Sequence, residues 1–171
     1  TGSTDAAARL WHTETFECCH TFEGHRSRIT CADLSPDGVW VATCSIDRRA
    51  MIWSAETGER LHQLDAHSGE VRSASFGADG VRLLTCSDDG TAKIWDAETG
   101  ECIQSLHGHR GQVWSAFWLK GGDRVLTASR DRTARVWCGK TGACLGVLEG
   151  HSAQLTALAL PPEPRLASML C

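Results

Sequence analysis

Residues 25–66 read HRSRITCADLSPDGVWVATCSIDRRAMIWSAETGERLHQLDA, and this 42-residue stretch decides the fold. Short apolar alternations are separated by turn residues, without the spacing of about 3.6 residues that a helix requires, so the stretch predicts β-strands. The turn SPDG at 35–38 has a proline that fixes φ and a glycine that tolerates positive φ. The stretch therefore predicts a four-stranded antiparallel meander, with strands at Ile29 to Leu34, Val39 to Ser45, Ala50 to Ser54 and Arg60 to Leu64.

The same pattern recurs along the whole chain with a fixed period of 42 residues. A single sheet of this kind exposes apolar side chains on both faces, so neighbouring sheets must cover it. A fixed period of about 20–50 residues indicates a stacked repeat architecture, and the 171-residue chain holds about four units. The residues that mark the period are His25, His67, His109 and His151; Trp11, Trp53, Trp95 and Trp137; and Asp5, Asp47, Asp89 and Asp131.

A four-stranded unit of about 40–45 residues with a Gly-His pair and a later Trp-Asp pair resembles the WD40-repeat family. The motifs in this sequence are Gly24-His25…Trp53-Ser54, Ala66-His67…Trp95-Asp96, Gly108-His109…Trp137-Cys138 and Gly150-His151. The resemblance implies an all-β fold, a WD40 β-propeller of four-stranded antiparallel blades with about four repeat units. The WD40 repeat region would cover residues 1–171, divided into a partial blade 1–24, blades 25–66, 67–108 and 109–150, and a partial, degenerate blade 151–171.

The composition excludes several classes of protein. With 17 Lys and Arg against 21 Asp and Glu, the formal net charge is -4, which gives no overall attraction to nucleic acid or to an anionic membrane. No apolar run has the length of about 18 residues that a transmembrane helix needs. The nine cysteines include no Cys-x-x-Cys pair and favour reduced structural thiols. We therefore expect an intracellular protein, cytoplasmic or nuclear, and a start at Thr1 within a repeat predicts a segment of a longer one.

Each unit contains a His, a Ser or Thr and an Asp, the residue types of a hydrolase triad. Because the set recurs at the same phase in every unit, a structural role is favoured over one preorganised active site. The resemblance implies a buried hydrogen-bond network in each blade, formed by the loop His, a second-strand Thr, the turn Asp and the third-strand Trp. Ser45, Ser87 or Ser129, two residues after the Thr, is the alternative hydroxyl partner. The networks are His25, Thr43, Asp47 and Trp53; His67, Thr85, Asp89 and Trp95; and His109, Thr127, Asp131 and Trp137.

Metal and cofactor sites have no support in the sequence. The histidines outside the repeat positions, His12, His20, His62 and His107, lack the clustered spacing of metal ligands. No glycine-rich phosphate loop leads from a strand into a helix. The sequence therefore predicts no catalytic residue, no metal and no cofactor.

Partner binding is expected on the wide face, which in propellers of this family is bounded by the loops that carry the repeat His and the turn Asp. Positions there that differ between units are the candidates, because the invariant positions serve the scaffold. Trp114 leads them, since an exposed Trp flanked by Arg is typical of an interface hot spot; the alternative is packing between blades, as expected for Trp118. The candidates are Arg26, Arg28, Ile46, Glu70, Arg72, Asp88, Arg110, Gln112, Trp114 and Arg130.

We therefore expect a non-catalytic WD40 scaffold that mediates protein–protein interaction and complex assembly. One alternative is a nucleic-acid-associated factor in an RNA-processing or chromatin complex, although acidic residues are interleaved with the arginines near the turn Asp and recognisable nucleic-acid-binding motifs are absent. Another alternative is an accessory WD40 domain of a larger enzyme or signalling protein. The arginines concerned are Arg48, Arg49, Arg130, Arg132 and Arg135.

Four units also leave one apolar blade face bare at each end of the array. Exposed apolar faces favour association, so we expect either further blades or self-association of two copies to complete a ring. A closed ring of four blades is the third option. Within such a ring, residues 152–171 would supply the first two strands of the partial blade 1–24.

Overall fold

The computed structural model describes residues 1–155. In that range the chain folds into strands alone, and it offers no helix that is long and apolar enough to cross a membrane. The predicted all-β architecture is confirmed. The strands are β1 Ala7–Trp11, β2 Cys18–Glu23, β3 Ile29–Leu34, β4 Trp40–Ser45, β5 Ala50–Ser54, β6 Arg60–Leu64, β7 Val71–Phe76, β8 Arg82–Ser87, β9 Ala92–Asp96, β10 Cys102–Leu106, β11 Val113–Trp118, β12 Arg124–Ser129, β13 Ala134–Cys138 and β14 Cys144–Leu148.

The strands form three four-stranded antiparallel sheets and one two-stranded sheet. The four-stranded sheets are β3-β4-β5-β6, β7-β8-β9-β10 and β11-β12-β13-β14, and β1 pairs with β2. The first strands contact one another, β3 with β7 and β7 with β11. They therefore lie along one side of the array, while the fourth strands form its opposite, outer side.

Turn chemistry sets the strand bounds in blade 25–66. Strand β4 begins at Trp40, one residue later than predicted, because the Val39 N–H donates to the Asp37 carboxylate at 3.1 Å and so lies outside the sheet ladder. The Ser35 N–H donates to the Trp40 carbonyl at 2.8 Å and closes the turn. The other three strands of this blade have the predicted bounds.

Apolar packing between successive blades forms the core. At each junction, the last residue of a fourth strand or its neighbour packs in one cluster with the third-strand Trp of the next blade: Phe22 with Trp53, Leu64 with Trp95, and Leu106 with Trp137. Full burial of one such side chain stabilises the fold by about 1.5–3 kcal/mol. A blade therefore depends on its neighbours for much of its stability.

The described residues end shortly after the last complete sheet. Leu155 packs with Leu126, Ala128 and Ala134 of blade 109–150. Most of the predicted degenerate blade 151–171 lies outside the described residues. The prediction that residues 152–171 complete the partial blade 1–24 therefore also falls outside them.

Candidate functional site

The His, Thr, Asp and Trp of blade 67–108 form one chain of hydrogen bonds. The Trp95 Nε1–H donates to Thr85 Oγ1 at 2.8 Å, and Thr85 Oγ1 lies 2.9 Å from His67 Nε2. His67 Nδ1 lies 2.8 Å from Asp89 Oδ2. Because indole only donates and carboxylate only accepts, every group is satisfied when the Thr85 hydroxyl donates to Nε2 and the His67 Nδ1–H donates to Asp89.

The same geometry recurs in both other complete blades. His25 contacts Asp47 and Thr43 at 2.9 Å each, and His109 contacts Asp131 at 2.8 Å and Thr127 at 2.7 Å. The indole N–H of Trp53 donates to Thr43 at 2.9 Å and that of Trp137 to Thr127 at 2.8 Å.

Threonine, and not the serine two residues later, is the hydroxyl partner. The Ser45 Oγ–H points to the backbone carbonyls of Ser27 and Arg28, at 2.9 and 2.8 Å. Ser129 makes the corresponding bond to Gly111 at 3.0 Å. The serines therefore fix the loop that carries the His, and the threonines complete the network.

Burial and hydrogen bonding act in opposite directions on the acidic members of the networks. Burial alone would raise the pKa of Asp89, but hydrogen bonds from His67 and Thr91 outweigh it and hold that pKa well below its ordinary value. The pKa of Asp131 is also held below its ordinary value, because the Arg110 N–H and the Thr133 hydroxyl donate to its carboxylate and outweigh the effect of burial. Burial lowers the pKa of His109 despite the opposing effect of Asp131. At neutral pH the ionised Asp131 and the neutral His109 are the forms that the hydrogen-bond pattern requires.

A β-bulge places Trp114 on the surface. Val113 pairs with Ser129 and Ser115 with Ala128, so Trp114 has no partner residue across the ladder. A bulge changes the direction in which the side chain points, and Trp114 is 36% exposed. Arg72 occupies the same bulge position one blade earlier. By contrast, Trp118 packs against the core between blades, and its Nε1–H donates to the Ser75 carbonyl at 3.1 Å.

Two arginines flank the Trp114 ring. The guanidinium carbon of Arg72 lies 4.7 Å from the ring centroid and that of Arg130 lies 5.8 Å from it. Both distances are within cation–π range. Another of the partner candidates, Arg110, lines a cleft with Asp131, Arg132 and His151.

Hydrogen bonds hold both flanking arginines in place. Arg72 Nε donates to Asp88 Oδ1 at 2.7 Å, and its Nη2 forms an ion pair with Glu70 at 2.9 Å. Hydrogen bonding to Asp88 raises the pKa of Arg72. Gln112 bridges the arginines, since its Nε2 donates to Asp88 at 2.8 Å and its Oε1 accepts from Arg130 at 2.6 Å. We call Glu70, Arg72, Asp88, Gln112, Trp114 and Arg130 the Trp114 surface.

Charge is distributed unevenly over the Trp114 surface. Two carboxylates compensate Arg72, whereas Arg130 Nε donates to the neutral side chain of Gln154 at 2.8 Å. Among the described residues, the Arg130 side chain thus donates its hydrogen bonds to the amide oxygens of Gln112 and Gln154. Arg130 therefore carries a fixed positive charge beside an exposed aromatic ring.

The remaining partner candidates lie on blade 25–66, two blades before the one that carries Trp114. Arg26 is exposed, and its N–H donates to Asp47 Oδ2 at 2.9 Å. Ile46 is half-buried, and its N–H donates to the carbonyl of the exposed Arg28 at 3.3 Å. At the bulge position of this blade stands Thr30, whose hydroxyl donates to the Val71 carbonyl at 2.6 Å. Blade 25–66 therefore has no Trp–Arg cluster at these described positions.

Several arginines that suggested nucleic acid make contacts within the chain. Arg49 forms an ion pair with Asp65 at 2.9 Å, and Arg135 lies over the Trp137 ring at 6.0 Å. The cleft of about 490 Å³ beside Arg110 also contains Asp131 and Glu149. Within residues 1–155, no group of three or more His, Cys, Asp or Glu side chains is placed to hold a metal ion.

Comparison with known protein families identifies three consecutive repeats in the chain. The model of the family described as "WD domain, G-beta repeat" matches residues 16–54, 58–96 and 100–138, which together make up more than half of the chain. No curated protein matches the chain. Each matched segment runs from the turn before a fourth strand to the end of the third strand of the next blade.

Proposed function

Because the chain belongs to the WD40 repeat family, whose repeats indicate a protein-interaction scaffold and are generally non-catalytic, we propose that it docks a protein partner on the Trp114 surface. The observation that carries this proposal is the exposed indole ring between two arginines. Trp and Arg dominate the binding energy of protein interfaces. The partner would be a peptide segment of a protein, and the chain would assemble it into a complex.

Preorganisation supports binding at this surface. Ordering a long side chain at an interface costs about 0.5–1.5 kcal/mol. Arg72 and Arg130 are already held by Asp88, Gln112 and Gln154, so most of that cost is met before a partner arrives. The Trp114 side chain has only two rotatable bonds, and its ring is held between Arg72 and Arg130.

The chemistry of the surface defines the class of partner. The Trp114 ring offers apolar area, and Arg130, which forms no ion pair among residues 1–155, offers a positive charge 5.8 Å from the ring centroid. A segment with an apolar side chain and a neighbouring carboxylate fits both groups. The free thiols of the described cysteines support a reducing, intracellular compartment, cytoplasmic or nuclear, for this interaction.

Selection of a random 12-residue peptide library against the purified chain, followed by calorimetric titration of selected peptides, tests the proposal. Trp114→Ala should weaken binding by about thirtyfold, the equivalent of a hot spot of about 2 kcal/mol, while the fold stays unchanged. Leu61→Ala, an exposed apolar position on an outer strand, is the matched control and should bind normally. Equal binding by Trp114→Ala, or failure to select any peptide, would contradict the proposal.

A fluorescent single-stranded RNA of 20 nucleotides separates the alternative function from this one. A nucleic-acid factor should bind it with an affinity that falls steeply between 50 and 200 mM salt. Such binding without peptide binding would replace the protein-docking proposal with the nucleic-acid one.

A further inference from the structure

Two arginines occupy a backbone conformation that ordinarily belongs to glycine. Arg48 has a φ of 74° and Arg132 a φ of 72°, and each directly follows the turn Asp of its blade. The blade between them has Gly90 at this position, with a φ of 83°. A left-handed φ is unfavourable for a residue with a Cβ, because the Cβ approaches the following carbonyl oxygen. Gly90 shows that the fold does not require an arginine here, so the strained arginines serve something other than the turn itself.

A second arginine adjoins each of these turns. The Arg26 N–H donates to Asp47 Oδ2 at 2.9 Å, so Arg26 and Arg48 both adjoin Asp47. Blade 109–150 repeats this arrangement, whereas blade 67–108 has a serine and a glycine at the two positions. We call these sets the arginine pairs, and they are Arg26 with Arg48 and Arg110 with Arg132.

The turn Asp residues do not neutralise the arginine pairs. Both oxygens of Asp47 are occupied, since Oδ2 accepts from His25 and the Arg26 N–H and Oδ1 accepts from the Arg49 N–H. The Asp47 side chain is also only 5% exposed. The four side chains of the arginine pairs are exposed and form no ion pair or side-chain hydrogen bond within residues 1–155. Their charges are therefore uncompensated in that range.

Arg48 lines a cleft at the junction of two complete blades. The cleft has a volume of about 360 Å³, and Arg49, Asp65 and His67 also line it. Arg49 forms an ion pair with Asp65 at 2.9 Å, which leaves the Arg48 guanidinium as the unpaired charge of this cleft. The equivalent cleft of about 490 Å³ in blade 109–150 contains both members of its arginine pair.

Exposed carboxylates concentrate at the opposite edge of the sheets. In an antiparallel blade the first and third turns lie at one edge, and the second turn and the loop to the next blade lie at the other. The arginine pairs occupy the second edge. An acidic ligand is therefore repelled from the first edge and attracted to the arginine pairs. The exposed acids in the first and third turns of blades 25–66 and 67–108 are Asp37, Glu56, Glu59, Asp79, Glu98 and Glu101.

We propose that the arginine pairs bind an acidic peptide segment of a partner protein, with carboxylates on the guanidinium groups of Arg48 and Arg132. A guanidinium binds a carboxylate through two parallel hydrogen bonds, which gives geometric specificity as well as attraction. This docking point is additional to the Trp114 surface, because it depends on charge and needs no apolar side chain.

The distribution of charge favours a peptide over a nucleic acid. The arginine pairs lie on alternate blades, with Ser68 and Gly90 between them, and Asp65 and Glu149 line the same clefts as the arginines. A nucleic-acid strand carries a negative charge at every nucleotide, so its phosphates would also lie against these carboxylates. A peptide carries acidic side chains only where arginines receive them.

Fluorescence anisotropy with a labelled 12-residue peptide of alternating Glu and Gly tests the proposal. The peptide should bind at 50 mM salt and more weakly at 200 mM salt, and the same peptide with Gln in place of Glu should not bind. Arg48→Gly and Arg132→Gly should each weaken binding about threefold, and the double variant about tenfold. Gly90→Arg supplies the missing arginine and should strengthen binding about threefold. A Cβ added at Gly90 would lie 3.4 Å from its nearest neighbour, the Gly111 carbonyl oxygen, so the variant fits the turn.

Melting temperatures and one control variant keep these results interpretable. Arg48→Gly and Arg132→Gly relieve a left-handed φ, so neither should lower the melting temperature. Arg60→Gln removes an exposed arginine of an outer strand and should bind the acidic peptide normally. Because the peptide has no apolar side chain, its failure to bind would leave docking at Trp114 to the separate test of that surface.

Four outcomes would overturn the proposal. They are equal binding of the Gln peptide, unchanged affinity of the double variant, weaker binding by Gly90→Arg, and tighter binding of a single-stranded RNA of 20 nucleotides than of the acidic peptide at the same salt concentration.

Discussion

Replacing Thr85 by valine tests the buried network at its centre. Thr85 is fully buried in the middle of the three complete blades, and its hydroxyl is shared by Trp95 at 2.8 Å and His67 at 2.9 Å. Valine has nearly the same shape, so packing is preserved. The substitution therefore removes only the hydroxyl and leaves the Trp95 Nε1–H and His67 Nε2 without a partner.

The size of the effect follows from those two groups. A buried polar group that loses its partner costs about 1–3 kcal/mol, so Thr85→Val should lower the free energy of unfolding by about 2–6 kcal/mol. Thr85→Ser keeps the hydroxyl and removes one methyl group, which costs about 1 kcal/mol. The more apolar variant is thus expected to be the less stable one.

Urea unfolding followed by tryptophan fluorescence measures both changes. The exposed Thr99, whose hydroxyl accepts from the Glu101 N–H at 3.2 Å, provides the control, and Thr99→Val should change the stability by less than about 0.5 kcal/mol. If Thr85→Val proves no less stable than Thr85→Ser, the hydroxyl does not hold the network together and the reasoning fails.

Two further predictions concern pH and the turn glycine Gly100. Burial lowers the pKa of His109 in the folded chain, so the unfolded chain takes up a proton first as the pH decreases. The urea midpoint of unfolding should therefore fall below a pH of about 6.5. His109→Gln should flatten this dependence between pH 7 and 5, and an unchanged slope in the variant would contradict the prediction. Gly100→Ala places a Cβ 2.7 Å from His62 at a φ of 74° and should cost at least about 1 kcal/mol, seen as a lower melting temperature, whereas Gly146→Ala should not.

Local signals were sufficient to predict the blades. Alternating apolar residues, the SPDG turn and the 42-residue period fix the strands within one residue in blade 25–66. They did not distinguish Thr43 from Ser45, because residues two apart share a strand face. The choice depends on the loop that follows His25, whose carbonyls at Ser27 and Arg28 accept the Ser45 hydroxyl.

The orientation of Trp114 depends on a feature that alternation does not reveal. A regular strand would place residues 114, 116 and 118 on one face, and Ala116 is buried. The bulge at Trp114 shifts the register by one residue, so Val113 and Ala116 are both buried while Trp114 turns outward. Sequence composition indicated a hot spot beside Arg72 and Arg130, and the bulge supplies the exposure that the hot spot needs.

The contact between His20 and the Glu56 carbonyl shows what one observed junction between blades adds to a known repeat period. His20 and Glu56 are 36 residues apart, and nothing in the strand pattern indicates that these positions meet. Once one such contact is observed, the 42-residue period places the same contact at His62 and Gln104, and the structure has it at both positions. One observed junction therefore extends to every junction that the described blades form, because the repeat carries the turn and the fourth strand at the same spacing.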